Sequence, residues 1–157
     1  MMKVSGYGRT GVVPPVNTEL TSVGAGSPMG EVLRRYWQPV CLSSDIDELP
    51  KLTRILGEEL VAFRDRSGRV GVLDAHCAHR GTSLEYGRIE EKGIRCCYHG
   101  WLYAVDGECL EQPGEPPQSN FRSKVSQPAY PARESGGLAH DVALFNTSIV
   151  SVPTKNS

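Results

Sequence analysis

The sequence has no apolar stretch approaching the ~18–20 residues needed to cross a bilayer, which gives no reason to expect a membrane partner. Its first residues, Met1-Met2-Lys3-Val4-Ser5-Gly6, lead into no apolar segment, so no secretory leader is expected. An excess of either charge is also missing. Seventeen Lys and Arg against 18 Asp and Glu leave a net charge of −1, with no long run of one sign. That provides no electrostatic footprint for nucleic acid or an acidic membrane surface. Histidine is scarce, at four residues, and only His140 follows His99. No internal repeat is present. Cysteine is the exception. Five is an odd number, and in a chain expected to be cytoplasmic, where thiols stay reduced, it suggests metal or catalytic chemistry over disulfides. At 157 residues the length is that of one domain, burying about 68–70% of its unfolded surface.

What is present centres on two short boxes, Cys77-Ala78-His79-Arg80-Gly81 and Cys96-Cys97-Tyr98-His99-Gly100-Trp101, with sixteen residues between His79 and Cys96. Each offers one thiolate and one imidazole, the soft and intermediate ligands of transition metals. A Cys₂His₂ zinc site usually takes its two Cys from one element and its two His from another. A [2Fe–2S] centre with unlike irons can instead take one Cys and one His from each of two loops. Neighbouring residues admit further readings. Cys97 could compete with Cys96, but the C-x2-H spacing selects Cys96. His76 reads as a solvent-exposed or capping residue, Cys109 and Cys41 as buried thiols, and Arg80 as either structural or a contact for a partner's carboxylate.

The pattern C-x-H-x16-C-x2-H, dressed as CxHRG and CxYHGW, resembles the Rieske iron–sulfur domain. More narrowly, it is similar to the N-terminal domain of the large subunit of Rieske non-haem iron ring-hydroxylating oxygenases and O-demethylases, the phthalate-dioxygenase-like branch. The resemblance covers residues 27–138 and includes Gly30-Glu31-Val32-Leu33-Arg34-Arg35-Tyr36-Trp37-Gln38-Pro39-Val40. It implies a [2Fe–2S] cofactor, with Cys77 and Cys96 on an inner iron and His79 and His99 on an outer one. It also implies a flavin or iron–sulfur reductase or a ferredoxin as electron donor, and a mononuclear-iron oxygenase domain or subunit as acceptor. In the family the assembly is a homo-oligomer, a trimer. Two imidazoles in place of two thiolates remove negative charge, so such centres lie at roughly −150 to +300 mV against about −400 mV for plant-type ferredoxins. Trp101 stands where the respiratory type has Ser, whose hydroxyl bonds a cluster sulfide, which favours the low end of that range. Thr82 and Tyr98 fill positions where respiratory domains carry a disulfide.

The rest of the chain fits a small all-β fold, a Rieske-type antiparallel sandwich or barrel with a cluster-binding subdomain and one short N-terminal helix. Residues 1–26 read as an extended arm. Ser27 as N-cap and Pro28 at the first position start the helix, whose stripe of Met29, Val32, Leu33 and Tyr36 is expected to pack on the sheet. Residues 37–42, broken by Pro39, read as an edge strand. Short β runs follow at 53–56, 60–63, 70–73 and 101–105, with Asp106-Gly107 a hairpin turn. Residues 111–133 are rich in Pro, Gly, Ser and Gln, and within them 112–117 read as a surface loop. Residues 139–157 read as a divergent tail, in which 142–152 is rich enough in β-branched residues for a strand.

With one histidine after His99, a two-His, one-carboxylate iron site cannot be built downstream. The catalytic domain is therefore expected to be absent, and the chain to transfer electrons as the Rieske part, whole or truncated, of an oxygenase of aromatic-compound catabolism. A free-standing Rieske ferredoxin is the alternative, and a structural zinc domain a more distant one.

Overall fold

The computed structural model describes residues 15–142. A four-residue helix, α1 (Thr18–Thr21), forms where the arm was expected to be extended, because the Asn17 side chain accepts from the Glu19 amide and caps its first turn. Helix α2 (Pro28–Leu33) starts as the sequence predicts, with Ser27 Oγ accepting from Gly30 N at 3.2 Å and Pro28 in the first turn. Its expected apolar stripe is only partly covered: Met29 and Leu33 are half-buried, but Val32 is 48% and Tyr36 63% exposed. The helix instead turns Gly30 and Arg34 inward. A Cβ at Gly30 would lie 2.3 Å from Gly24 O, and Arg34 pairs with Glu58 and donates to Leu56 O. Six residues make too short a helix for a stripe to outweigh a buried, hydrogen-bonded arginine.

Among the described residues eleven strands build three antiparallel sheets: β1 (Trp37–Leu42), β2 (Lys51–Ile55), β3 (Glu58–Arg64), β4 (Val70–Asp74), β5 (Arg88–Glu90), β6 (Gly93–Arg95), β7 (Leu102–Tyr103), β8 (Cys109–Glu111), β9 (Ala129–Tyr130), β10 (Ala132–Ser135) and β11 (Leu138–Val142). Their orders are β1-β11-β10, β2-β3-β4-β9 and β5-β6-β7-β8. Among the described residues the sheets are open and none closes into a barrel. Pro39 does lie on an edge strand. Beyond the surface loop expected at 112–117, the same Pro- and Ser-rich stretch contributes a 3₁₀ turn, Phe121–Lys124, and strand β9, which pairs with β4. Strand β11 starts at Leu138, runs past the expected domain end and lies between β1 and β10, so residues 139–142 belong to a sheet. Of the strand expected over 142–152, residues 143–152 lie outside the described residues.

Strands β3 and β4 form the wall between two cores. Alternate side chains of a strand point to opposite faces. Val61, Phe63 and Leu73 enter one core with Leu84, Ile94, Trp101 and Tyr103, and Leu60, Ala62 and Val72 enter the other with Val40, Ile46 and Ala139. Being buried on both faces, β3 reads as the continuous run Leu60-Val61-Ala62-Phe63 instead of an alternation. The first core contains Cys77 and Cys96. The turn between β2 and β3 has both Leu56 (φ 48°) and Gly57 (φ 88°) in the left-handed region, as the tightest hairpin turns require. The predicted Asp106-Gly107 turn joins β7 to β8, with Gly107 N donating to Ala104 O at 3.0 Å.

Candidate metal centre

The two boxes adopt one turn twice. In the first, Cys77 N donates to Thr82 O at 2.9 Å and Gly81 N to Cys77 O at 2.7 Å. In the second, Cys96 N donates to Trp101 O at 2.9 Å and Gly100 N to Cys96 O at 3.1 Å. Gly81 and Gly100 share φ +73°, a left-handed conformation that glycine enters without steric cost. The first box follows β4 and the second links β6 to β7. A different clamp holds each. The Gln127 amide bonds the backbone of Asp74, His76 and Ala78. The Arg95 guanidinium donates to Gly100 O at 2.7 Å while pairing with Glu90 and Glu111.

These turns set the four donors as two pairs. Cys77 and Cys96 are each 3% exposed and belong to the same buried core cluster. The rings of His79 and His99 lie 4.6 Å apart at 65°. His79 is half-buried and His99 exposed. Trp101, buried, lies flat on His79 at 4.2 Å and 3°, and Tyr98 tilts against His99 at 3.8 Å. Burial, opposed by the Tyr98 amide and seconded by Cys77, pushes the Cys96 thiol up. Burial, then His99 and Arg80, holds His79 below its ordinary value and keeps the ring in the neutral form that binds metals. Tyr103 is fully buried with its hydroxyl 3.3 Å from Cys77 Sγ.

The donor set suits a binuclear group. His79 Nδ1 is buried without a hydrogen-bond partner, a cost a metal bond would relieve. Among the described residues no three His, Cys, Asp or Glu side chains converge on a point for a single ion. A two-iron cluster asks only two protein ligands of each iron, and a thiol pair beside an imidazole pair answers that.

The other residues raised by the sequence stand apart. Cys97 is exposed, whereas Cys96 beside it is buried. His76 is exposed beside Glu59 and Asp74 at 3.8 and 3.7 Å. Cys109 is buried, with Sγ 3.7 Å from Glu111 O, and Cys41 is half-buried on β1. Arg80 is exposed. Sequence reasoning missed Gln127 and the Tyr103 hydroxyl, which no local motif marks. Among the described residues no helix is long and apolar enough to cross a membrane.

Comparison with known proteins agrees with this geometry. Residues 36–131 match the model of the Rieske [2Fe-2S] domain. The chain is 60% identical over 126 residues to the tert-butanol monooxygenase / tert-amyl alcohol desaturase oxygenase subunit of Aquincola tertiaricarbonis, covering 80% of this chain and 27% of that protein. It is 59% identical over 120 residues to the phenoxybenzoate dioxygenase subunit alpha of Ectopseudomonas oleovorans, covering 76% and 29%. The reduced complex between oxygenase and ferredoxin in carbazole 1,9a-dioxygenase superposes with TM-score 0.60 at 29% identity, over 70% of this chain and 29% of that one. The chain thus spans under a third of the length of these relatives. Twin glycine turns, a buried thiol pair and a neighbouring imidazole pair, together with these matches, make this chain a member of the Rieske [2Fe-2S] domain family, of the type found in oxygenase subunits.

Proposed function

We propose that Cys77 and Cys96 ligate one iron and His79 and His99 the other, and that the chain passes single electrons as the Rieske part of an oxygenase subunit. The observation that carries this is the repeated turn, which puts both thiols in one buried core and the two imidazoles side by side from two loops. When bound, the cluster takes up and releases one electron. The chain's residues do the rest. Burial keeps water from the thiolates, and the amides of Tyr98 and His99 aim at Cys96 Sγ, favouring its charged form. Trp101 shields one face of His79 while His99 stays open to a partner.

A reductase or ferredoxin is the proposed donor and a mononuclear-iron domain or subunit the acceptor. The carbazole dioxygenase oxygenase, seen in complex with a ferredoxin, supports the donor. Residues 27–138 are the proposed electron-transfer unit, within a homo-oligomer such as a trimer. The proposed setting is aromatic-compound catabolism in the cytoplasm. The phenoxybenzoate relative supports the first, and five free cysteines, including exposed Cys97, support a reducing compartment. His79→Cys tests the ligand set. A third thiolate adds negative charge, so the midpoint potential measured by voltammetry is expected to fall. An unchanged or higher potential overturns the assignment.

A further inference from the structure

Gln127 lies outside both boxes, 31 residues beyond Cys96 in the chain, yet it is 2% exposed and all three of its side-chain bonds reach the first box or its approach. Its Oε1 accepts from Ala78 N at 2.7 Å, and its Nε2 donates to Asp74 O and His76 O, both at 2.9 Å. The three backbone groups belong to alternate residues. The amide therefore does for residues 74–78 what the edge of a neighbouring strand would do, at a place where β4 has ended. Ala75 and Cys77, the residues between, turn into the core at 1% and 3% exposure. Fixing the pleat here fixes the direction of Cys77 inward and the start of the turn that carries His79.

The amide is itself held. Gln127 N donates to Gly107 O at 2.9 Å, and a Cβ at Gly107 would lie 2.0 Å from Gln127 O, so this close approach depends on glycine. The next residue, Pro128, accepts from Asp74 N at 2.9 Å. No other side chain of this length supplies one acceptor and two donors. Glutamate only accepts when ionised, and leucine and methionine offer nothing comparable.

We infer that Gln127 is a positioning residue for the metal centre, holding the loop of Cys77 and His79 in its ligating shape through a three-bond contact to the backbone of residues 74–78. The inference rests on the ligand assignment above. It separates the two boxes, since the second is held by Arg95, whose pairs with Glu90 and Glu111 are partly exposed.

The test compares the full chain with Gln127→Leu, which removes all three bonds, and Gln127→Glu, which keeps the acceptor for Ala78 N and loses the donors. Asp65→Asn is the control. It weakens another buried group, one whose side-chain bonds go to Ser67 and Arg69 and to no residue of either box. The readouts are iron release to a ferrous chelator, the g-values of the reduced centre and thermal stability. Supports of metal ligands are typically worth about 10–100-fold in affinity, so release is expected to accelerate on that scale in Gln127→Leu and less in Gln127→Glu, with shifted g-values. Asp65→Asn is expected to lower thermal stability with the wild-type release rate. If Gln127→Leu fails to fold, Gln127→Glu decides alone. Wild-type release and g-values in the Gln127 variants, or equal acceleration in Asp65→Asn, overturn the inference while leaving the ligand assignment standing. Wild-type protein without a [2Fe–2S] spectrum overturns both.

Discussion

Replacing Tyr103 by Phe isolates one hydrogen bond to the metal centre. The phenol is fully buried, and desolvation followed by the Cys77 contact pushes its pKa far above the ordinary tyrosine value, so the hydroxyl stays protonated wherever the protein is folded. It is then the donor in the 3.3 Å contact with Cys77 Sγ once that sulfur is a thiolate. Phe keeps the ring and its packing and removes one oxygen, so the expected loss of stability is modest, about 1 kcal/mol. The electronic consequence is separable. A hydrogen bond to a charged acceptor is worth roughly 1.5–3 kcal/mol, and the bond is made in both oxidation states. Only the part by which it favours the more negative, reduced state enters the potential. If that part is about 1 kcal/mol, a one-electron centre at 59 mV per tenfold shifts by about 40 mV, downward on removal of the bond. Protein-film voltammetry of the two proteins at one pH reads the difference directly. A potential that stays the same or rises in Tyr103→Phe would refute the reasoning, since it would mean the hydroxyl does not sense the extra electron. The result also bears on the expectation drawn from Trp101. Losing a hydroxyl at position 101 argues for a low potential, but the Tyr103 hydroxyl restores one sulfur bond two residues later.

Two other perturbations follow from the structure. A Cβ at Gly93 would lie 1.9 Å from Tyr103 O, so Gly93→Ala is expected to force β6 from β7 and lose about 3 kcal/mol or more in urea denaturation. Gly136→Ala, which meets no atom within 4 Å and carries only the strain of φ +60°, should lose about 1–2 kcal/mol; equal losses would deny the role of the close approach. Glu134 is held at about 2, against an ordinary 4.5, chiefly by its hydrogen bonds to Arg64. Because the folded value is the lower one, the pair stabilises the protein above pH 4.5, and that stabilisation is lost as pH falls through about 2. Glu134→Gln should melt below wild type at neutral pH and converge with it in acid. A gap that persists at low pH would contradict the electrostatic origin.

The metal centre was legible because its code is local. Each box puts Cys, His and the turn glycine within five consecutive positions, and the twin turns need only short-range bonds. The all-β character was readable for a similar reason, since Leu60–Phe63 and the Asp106-Gly107 turn carry their own signals. What escaped depends on distance along the chain. Gln127 acts on residues some fifty positions earlier, from a segment whose Pro, Ser and Gln content describes a loop equally well whether it is exposed or buried. The stripe on α2 failed because periodicity says which residues share a face, and the inward face was decided by Arg34 reaching Glu58 and Leu56 across the fold. The edge position of β1 was anticipated by Pro39, while its partner β11 lay where the sequence suggested a tail.

The twin turns separate two instructions that a loop usually merges. In both boxes the shape is written at the cysteine and at the fourth and fifth residues after it, through the same pair of backbone bonds and the same left-handed glycine. The histidine is placed independently, two residues after Cys77 and three after Cys96. Shifting an imidazole by one position therefore re-aims it by a full residue step without altering the backbone that presents it. One ring lies under an indole and the other faces outward, although the scaffold beneath them is the same. Such a loop is a chassis on which ligand identity and direction can drift through substitution while the fold is conserved.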